Sequence, residues 1–121
     1  MRDNTLPAVG VLRQDRANVL AIEGDIDLHI SPAITEALDA MIKKKPDRIV
    51  IDLSRATYID SAGVAALMIA KQDVEAYGGK FFLSGVQETI RLILETSRLD
   101  RIFWIFPDAD AALAANEAWF T

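Results

Sequence analysis

Apolar and polar positions change period several times along the chain. "AVGVLRQ" (8–14) and "NVLAIEG" (18–24) are apolar runs separated by the polar "DRA", which predicts two strands joined by a hairpin turn. In "GDIDLHISPAI", Gly24 and the acids interrupt the run. Ser31-Pro32 then supplies a cap residue followed by proline at the first helical position. Ile34, Leu38, Met41 and Ile42 recur at helical spacing in "AITEALDAMIKK", and Pro46 ends that helix. "RIVIDLS" (48–54) and "KFFLSG" (80–85) are short, nearly continuous apolar runs, the pattern of strands buried on both faces. Between them lies the helix "AGVAALMIAKQDVEAY", stopped by Gly78-Gly79. "ETIRLILETS" is a third helix with Ile90, Ile93 and Leu94 inward, and "RIFWIFP" is a last strand. Pro107-Asp108 opens the final helix "ADAALAANEAWF", with Asp108 as its cap.

The resulting order is ββαβαβαβα. Strands alternating with helices predict an α/β fold with right-handed crossovers: a mixed, mostly parallel β-sheet, an N-terminal antiparallel hairpin and four helices. The chain has 121 residues, no internal repeat and no linker, which predicts a single domain.

Composition narrows the function. The formal net charge is −5, and the only basic run, Lys43-Lys44-Lys45, falls at a helix end, where cations complement the dipole. No basic stripe is present to neutralise phosphates, so nucleic acid is not an expected partner. Without cysteine there is no disulfide or thiolate zinc site, and His29 is the only histidine. No apolar stretch reaches the ~18 residues of a membrane span, and the first ten residues lack a signal-peptide core, so the expected location is cytoplasmic, with no membrane insertion.

Chemistry concentrates on "YIDSAGVAALMIA" (58–70). Its strand-to-helix turn is similar to a hydrolase nucleophile elbow, but Ile59 stands where the first glycine belongs and no histidine follows downstream. "YGGK" lacks the spacing of a phosphate-binding loop. Asp25, Asp27, Asp52 and Asp60 lie near strand ends, where ligands of parallel sheets bind; a solvated acidic rim is the simpler reading than a metal site. Ser61 is a competent helix cap, yet Asp60 is one too. Gly63, in the first turn, costs about 1 kcal/mol of helix propensity and permits close approach by a backbone or a ligand. The following apolar run leaves almost no polar face. Either the chain covers both sides or one side is a docking patch, and coverage within the chain is the favoured expectation.

"VIDLSRATYIDSAGVAALMIAKQDVEAYGGKFFLSGV" resembles the STAS domain family, in particular the small anti-sigma factor antagonists. "IEGDIDLHISPAI" and "IRLILETSRLDRIFWIFPDADAALA" resemble the flanking parts of that pattern. The resemblance covers residues 8–118, leaving 1–7 as an N-terminal extension. Two positions depart from the family: Ala62, where many members have a second serine, and Arg98, where many have glycine, which calls the left-handed turn there into question.

The resemblance implies partner switching. The unphosphorylated protein would bind an anti-sigma factor that is also a serine kinase of the histidine-kinase-like ATPase type. Phosphorylation of Ser61 would release it, and a serine phosphatase would reset it. The implied partner-binding residues are Asp27, Asp60, Ser61, Ala62, Gly63 and Val64. No catalytic residue, metal or cofactor is expected. The alternative reading is a STAS accessory subunit of a lipid-transporting ABC ATPase, or a stress-signalling scaffold.

Overall fold

The computed structural model describes residues 11–16 and 18–116. Within them the elements run β1 (Val11–Arg16), β2 (Val19–Ile26), α1 (Ser31–Ile42), β3 (Arg48–Asp52), β4 (Ala56–Ile59), α2 (Ser61–Ala76), β5 (Lys80–Ser84), α3 (Glu88–Thr96), β6 (Trp104–Phe106) and α4 (Ala109–Ala114). A 3-10 turn covers Leu99–Arg101. The sheet order is β1-β2-β3-β5-β6, with β4 alongside the second half of β2. The β1–β2 pair is antiparallel and every other pair is parallel, as the alternation of elements predicted.

The apolar runs of β3 and β5 have two covers. On one face, Ile22, Ile49, Ile51 and Phe81 pack with Leu38 of α1, Leu67 of α2 and Leu94 of α3. On the other, Val19, Val50, Phe82 and Phe106 lie beneath Ala109 and Ala112 of α4 and Ala115 beyond it. Arg48 holds the end of α4. Its Nη1 donates to the carbonyls of Ala112 at 2.8 Å and Ala115 at 2.6 Å, and its guanidinium lies 5.6 Å from the centre of the Phe82 ring.

Several boundaries differ from the sequence reading. Strand β1 continues to Arg16, through two residues of the expected turn, with an irregular register between Gln14 and Arg16; residues 8–10 lie outside the described residues. Gly24 does not end β2. It takes φ +82 at a register shift, and the strand continues through Asp25 and Ile26 to pair with β4. Strand β4 itself was missing from the expected order: it has four residues and buries only Ala56 and Ile59, too little for a period to register. Only Trp104–Phe106 of "RIFWIFP" is strand, because Leu99–Arg101 turns as 3-10 helix.

The helix ends show local chemistry. Gly78, at φ +91, donates to the Glu75 carbonyl and Gly79 to that of Val74, so the pair stops α2 as expected. Asp108 caps α4 by accepting from the Ala111 amide at 2.8 Å; residues 117–120 of the expected helix lie outside the described residues. Ser31 is not a cap. It is the first residue of α1, and the entry is tied by Asp27 instead. Arg98 keeps the left-handed geometry without glycine, at φ 62 and ψ 21.

Candidate functional site

Strands β2 and β4 run parallel and end together. Ile26 is in register with Ile59, and the Asp60 amide donates to the Ile26 carbonyl at 3.0 Å. Asp27 and Asp60 therefore leave the sheet side by side. Asp60 has extended backbone, φ −105 and ψ −175, and its Oδ1 accepts from the Gly63 amide at 2.9 Å. It is the cap of α2, and Ser61 is the first helical residue. Of the two candidate caps in the sequence, Asp60 is the one that serves. Asp60 occupies the capping geometry, so the exposed Ser61 hydroxyl makes no hydrogen bond among the described residues.

Gly63 resolves its own question. A Cβ there would lie 2.6 Å from Ile26 Cγ2 and 2.8 Å from the Ile26 carbonyl oxygen. The close approach is to the backbone of β2, and Gly63 is buried. Ala62 and Val64 on either side are half-buried. Asp27 is half-exposed, and its Oδ1 accepts from the His29 amide at 3.0 Å and the Ile30 amide at 3.3 Å. Its carbonyl accepts from the Ile30 and Ser31 amides. The turn beside Ser61 is therefore rigidly tied, and it presents Leu28 with 69% of its surface exposed.

The apolar run of α2 splits into stripes. Ala66, Leu67, Ala70 and Val74 are buried, while Ser61, Ala65 and Ile69, at i, i+4 and i+8, are exposed. Coverage within the chain, the favoured expectation, holds for only one side. Val64, Ala65 and Met68 form one wall of a groove of about 530 Å³, and Tyr58, Ile93 and Leu99 line the rest of it. Ser61 and Asp60 stand at the same groove. Sequence reasoning missed Tyr58, Met68, Ser97 and Leu99, and assigned Ile93 to the core, where it is only half-buried. The helical spacing of Ile90, Ile93 and Leu94 marks an apolar face but not how far that face extends beyond the core.

The acids act separately. Asp25 accepts from the Thr57 hydroxyl at 2.8 Å and Asp52 from the Ser54 amide at 2.9 Å. Among the described residues no group of three or more His, Cys, Asp or Glu could hold a metal ion. No helix there is long and apolar enough to cross a membrane.

The STAS domain profile matches residues 9–112, and the chain belongs to this family. It is 30% identical over 95 residues to the anti-sigma-F factor antagonist RsfB of Mycobacterium tuberculosis, covering 78% of this chain and 77% of RsfB. The crystal structure of an anti-sigma factor antagonist from Mycobacterium paratuberculosis matches with a TM-score of 0.73 and 26% identity, over 87% of this chain and 90% of that one. The phosphorylated form of the Bacillus cell fate determinant SpoIIAA shares the fold, with a TM-score of 0.64 and 21% identity over 87% and 96% of the two chains.

Proposed function

We propose that this STAS protein is an anti-sigma factor antagonist that switches partners, with Ser61 as its phosphate acceptor. The observation that carries the assignment of the acceptor is the placement of Ser61: exposed, its hydroxyl unbonded among the described residues, and at an apolar groove on the first turn of α2. The relatives described above bear the antagonist name, and their resemblance extends over most of the chain. Unphosphorylated, the protein binds an anti-sigma factor in the cytoplasm and frees a sigma factor. The same partner, a serine kinase of the histidine-kinase-like ATPase type, then modifies it. The Ser61 Oγ attacks the γ-phosphorus of ATP, the bond to the β-phosphate oxygen breaks, ADP leaves, and a base on the kinase takes the hydroxyl proton. A serine phosphatase restores the hydroxyl. The antagonist itself catalyses nothing.

Charge explains the switch. A phosphoserine carries about −1.5 to −2 at neutral pH, and here it stands beside Asp60. The fold tolerates it, because the helix N-terminus favours an anion by about 0.3–1 kcal/mol. An interface must strip water from the same charge, and a loss of ~2.8 kcal/mol is a hundredfold in affinity. The test begins with affinity purification from the native cell and identification of the bound ATPase. Incubation with that ATPase and ATP is followed by mapping the phosphate by mass spectrometry. Phosphate on Ser61 and none on Ser61→Ala supports the assignment; labelling elsewhere overturns it. Co-purification with an ABC ATPase and permease instead would establish the accessory-subunit role.

A further inference from the structure

Arg98 follows α3 at φ 62 and ψ 21. That left-handed conformation costs a residue with a Cβ roughly 1–2 kcal/mol, which glycine would avoid. The amide donates to the Glu95 carbonyl at 3.0 Å, but the side chain is exposed and makes no hydrogen bond or ion pair among the described residues that would offset the strain. Its position is informative. Ser97 and Leu99, on either side of it, line the same groove as Ser61. Among the described residues the groove's only charged lining residue is Asp60, and none is basic. Arg98 stands between two lining residues without lining the groove itself. Its exposed guanidinium, unengaged among the described residues, belongs to a turn bordering a groove that gains a dianion when Ser61 is phosphorylated. A guanidinium presents a planar fork of donors that matches phosphate oxygens.

We propose that Arg98 is the intramolecular receptor for phosphoserine 61, and that the resulting ion pair bridges the groove between α2 and α3. The bridge closes the apolar surface open in the unmodified protein, so phosphorylation acts by covering a docking surface as well as by adding charge. This inference rests on Ser61 being the phosphate acceptor, but its test needs neither the kinase nor the partner.

Phosphoserine is incorporated at position 61 during translation in the full chain, in the wild-type background and in Arg98→Gly and Arg98→Lys. Glycine suits the backbone at this position, so Arg98→Gly folds. The midpoint of thermal unfolding is compared with and without phosphate in each background, and the phosphate is titrated by 31P NMR. Asp27, His29, Tyr58 and Asp60 lie at this end of the molecule in every variant, so differences between backgrounds isolate Arg98. In the wild type, phosphate is expected to raise the midpoint by about 3 °C. The second phosphate ionisation should fall by a few tenths of a pH unit relative to Arg98→Gly, the size of an exposed ion pair. Arg98→Lys should keep part of both effects, and 1 M salt should erase them. Equal thermal increments and superimposable titrations in wild type and Arg98→Gly would overturn the proposal. A failure to find phosphate on Ser61 in the kinase assay would instead strike the functional assignment and leave these measurements intact.

Discussion

Asp60 and Gly63 are three residues apart and joined by one hydrogen bond, yet they do different work. Asp60 ends the strand and caps the helix. Replacing Asp60 with Ala is expected to lower stability by about 1 kcal/mol, while Asp60→Asn, an equally good cap, should lose only a few tenths. Urea unfolding of the two variants checks this; equal losses would mean that charge, not capping, is what matters. Gly63 is required by contact distance. Ala there would gain about 1 kcal/mol of helix propensity, but its Cβ would press on the Ile26 carbonyl, which belongs to a paired strand and cannot swing aside. We expect Gly63→Ala to lower stability by about 2 kcal/mol net. A more stable variant would show that α2 can shift away from β2.

At the level of elements, α4 is packed on the sheet through Ala109 and Ala112, and one side chain from β3 holds its C-terminal end. The helix has six residues, too few to persist as an isolated helix, and Arg48 satisfies carbonyls at its C-terminal end. Arg48→Met keeps the aliphatic stem but removes every donor. It should cost about 1–2 kcal/mol and speed hydrogen exchange in α4 more than in β3 or β5; uniform exchange across the three would show that α4 unfolds only with the whole domain. The strands differ in how far pattern alone could define them. The buried runs of β3 and β5 were evident because both faces are covered. β4 was not, since Thr57 and Tyr58 are exposed and its pairing with β2 depends on a bulge at Gly24.

For the whole molecule, the switch proposed above demands that a negative charge at position 61 leave the fold intact while changing what the protein binds. Ser61→Glu should keep an unfolding free energy within about 0.5 kcal/mol of wild type, since Ser61 is exposed and no side-chain hydrogen bond among the described residues is lost. It should bind the purified anti-sigma factor at least tenfold more weakly. Calorimetry that found wild-type affinity would separate the groove from the switch. The groove combines elements far apart in the chain: the end of β4, the first turns of α2, and Ile93, Ser97 and Leu99 beyond β5.

The sequence by itself determined the alternation of strands and helices apart from β4, the antiparallel hairpin and the stop at Gly78-Gly79, because each depends on neighbours within a few residues. It also marked Asp60-Ser61 and, through the flanking pattern, the family. Tertiary structure decided the rest. Which of Asp60 and Ser61 caps α2 depends on strand pairing that fixes the Asp60 backbone. Whether Gly63 meets a backbone or a ligand depends on how closely α2 lies on β2. The apolar run of α2 could not reveal its exposed side, because spacing along a helix defines directions and only packing determines which of them is covered.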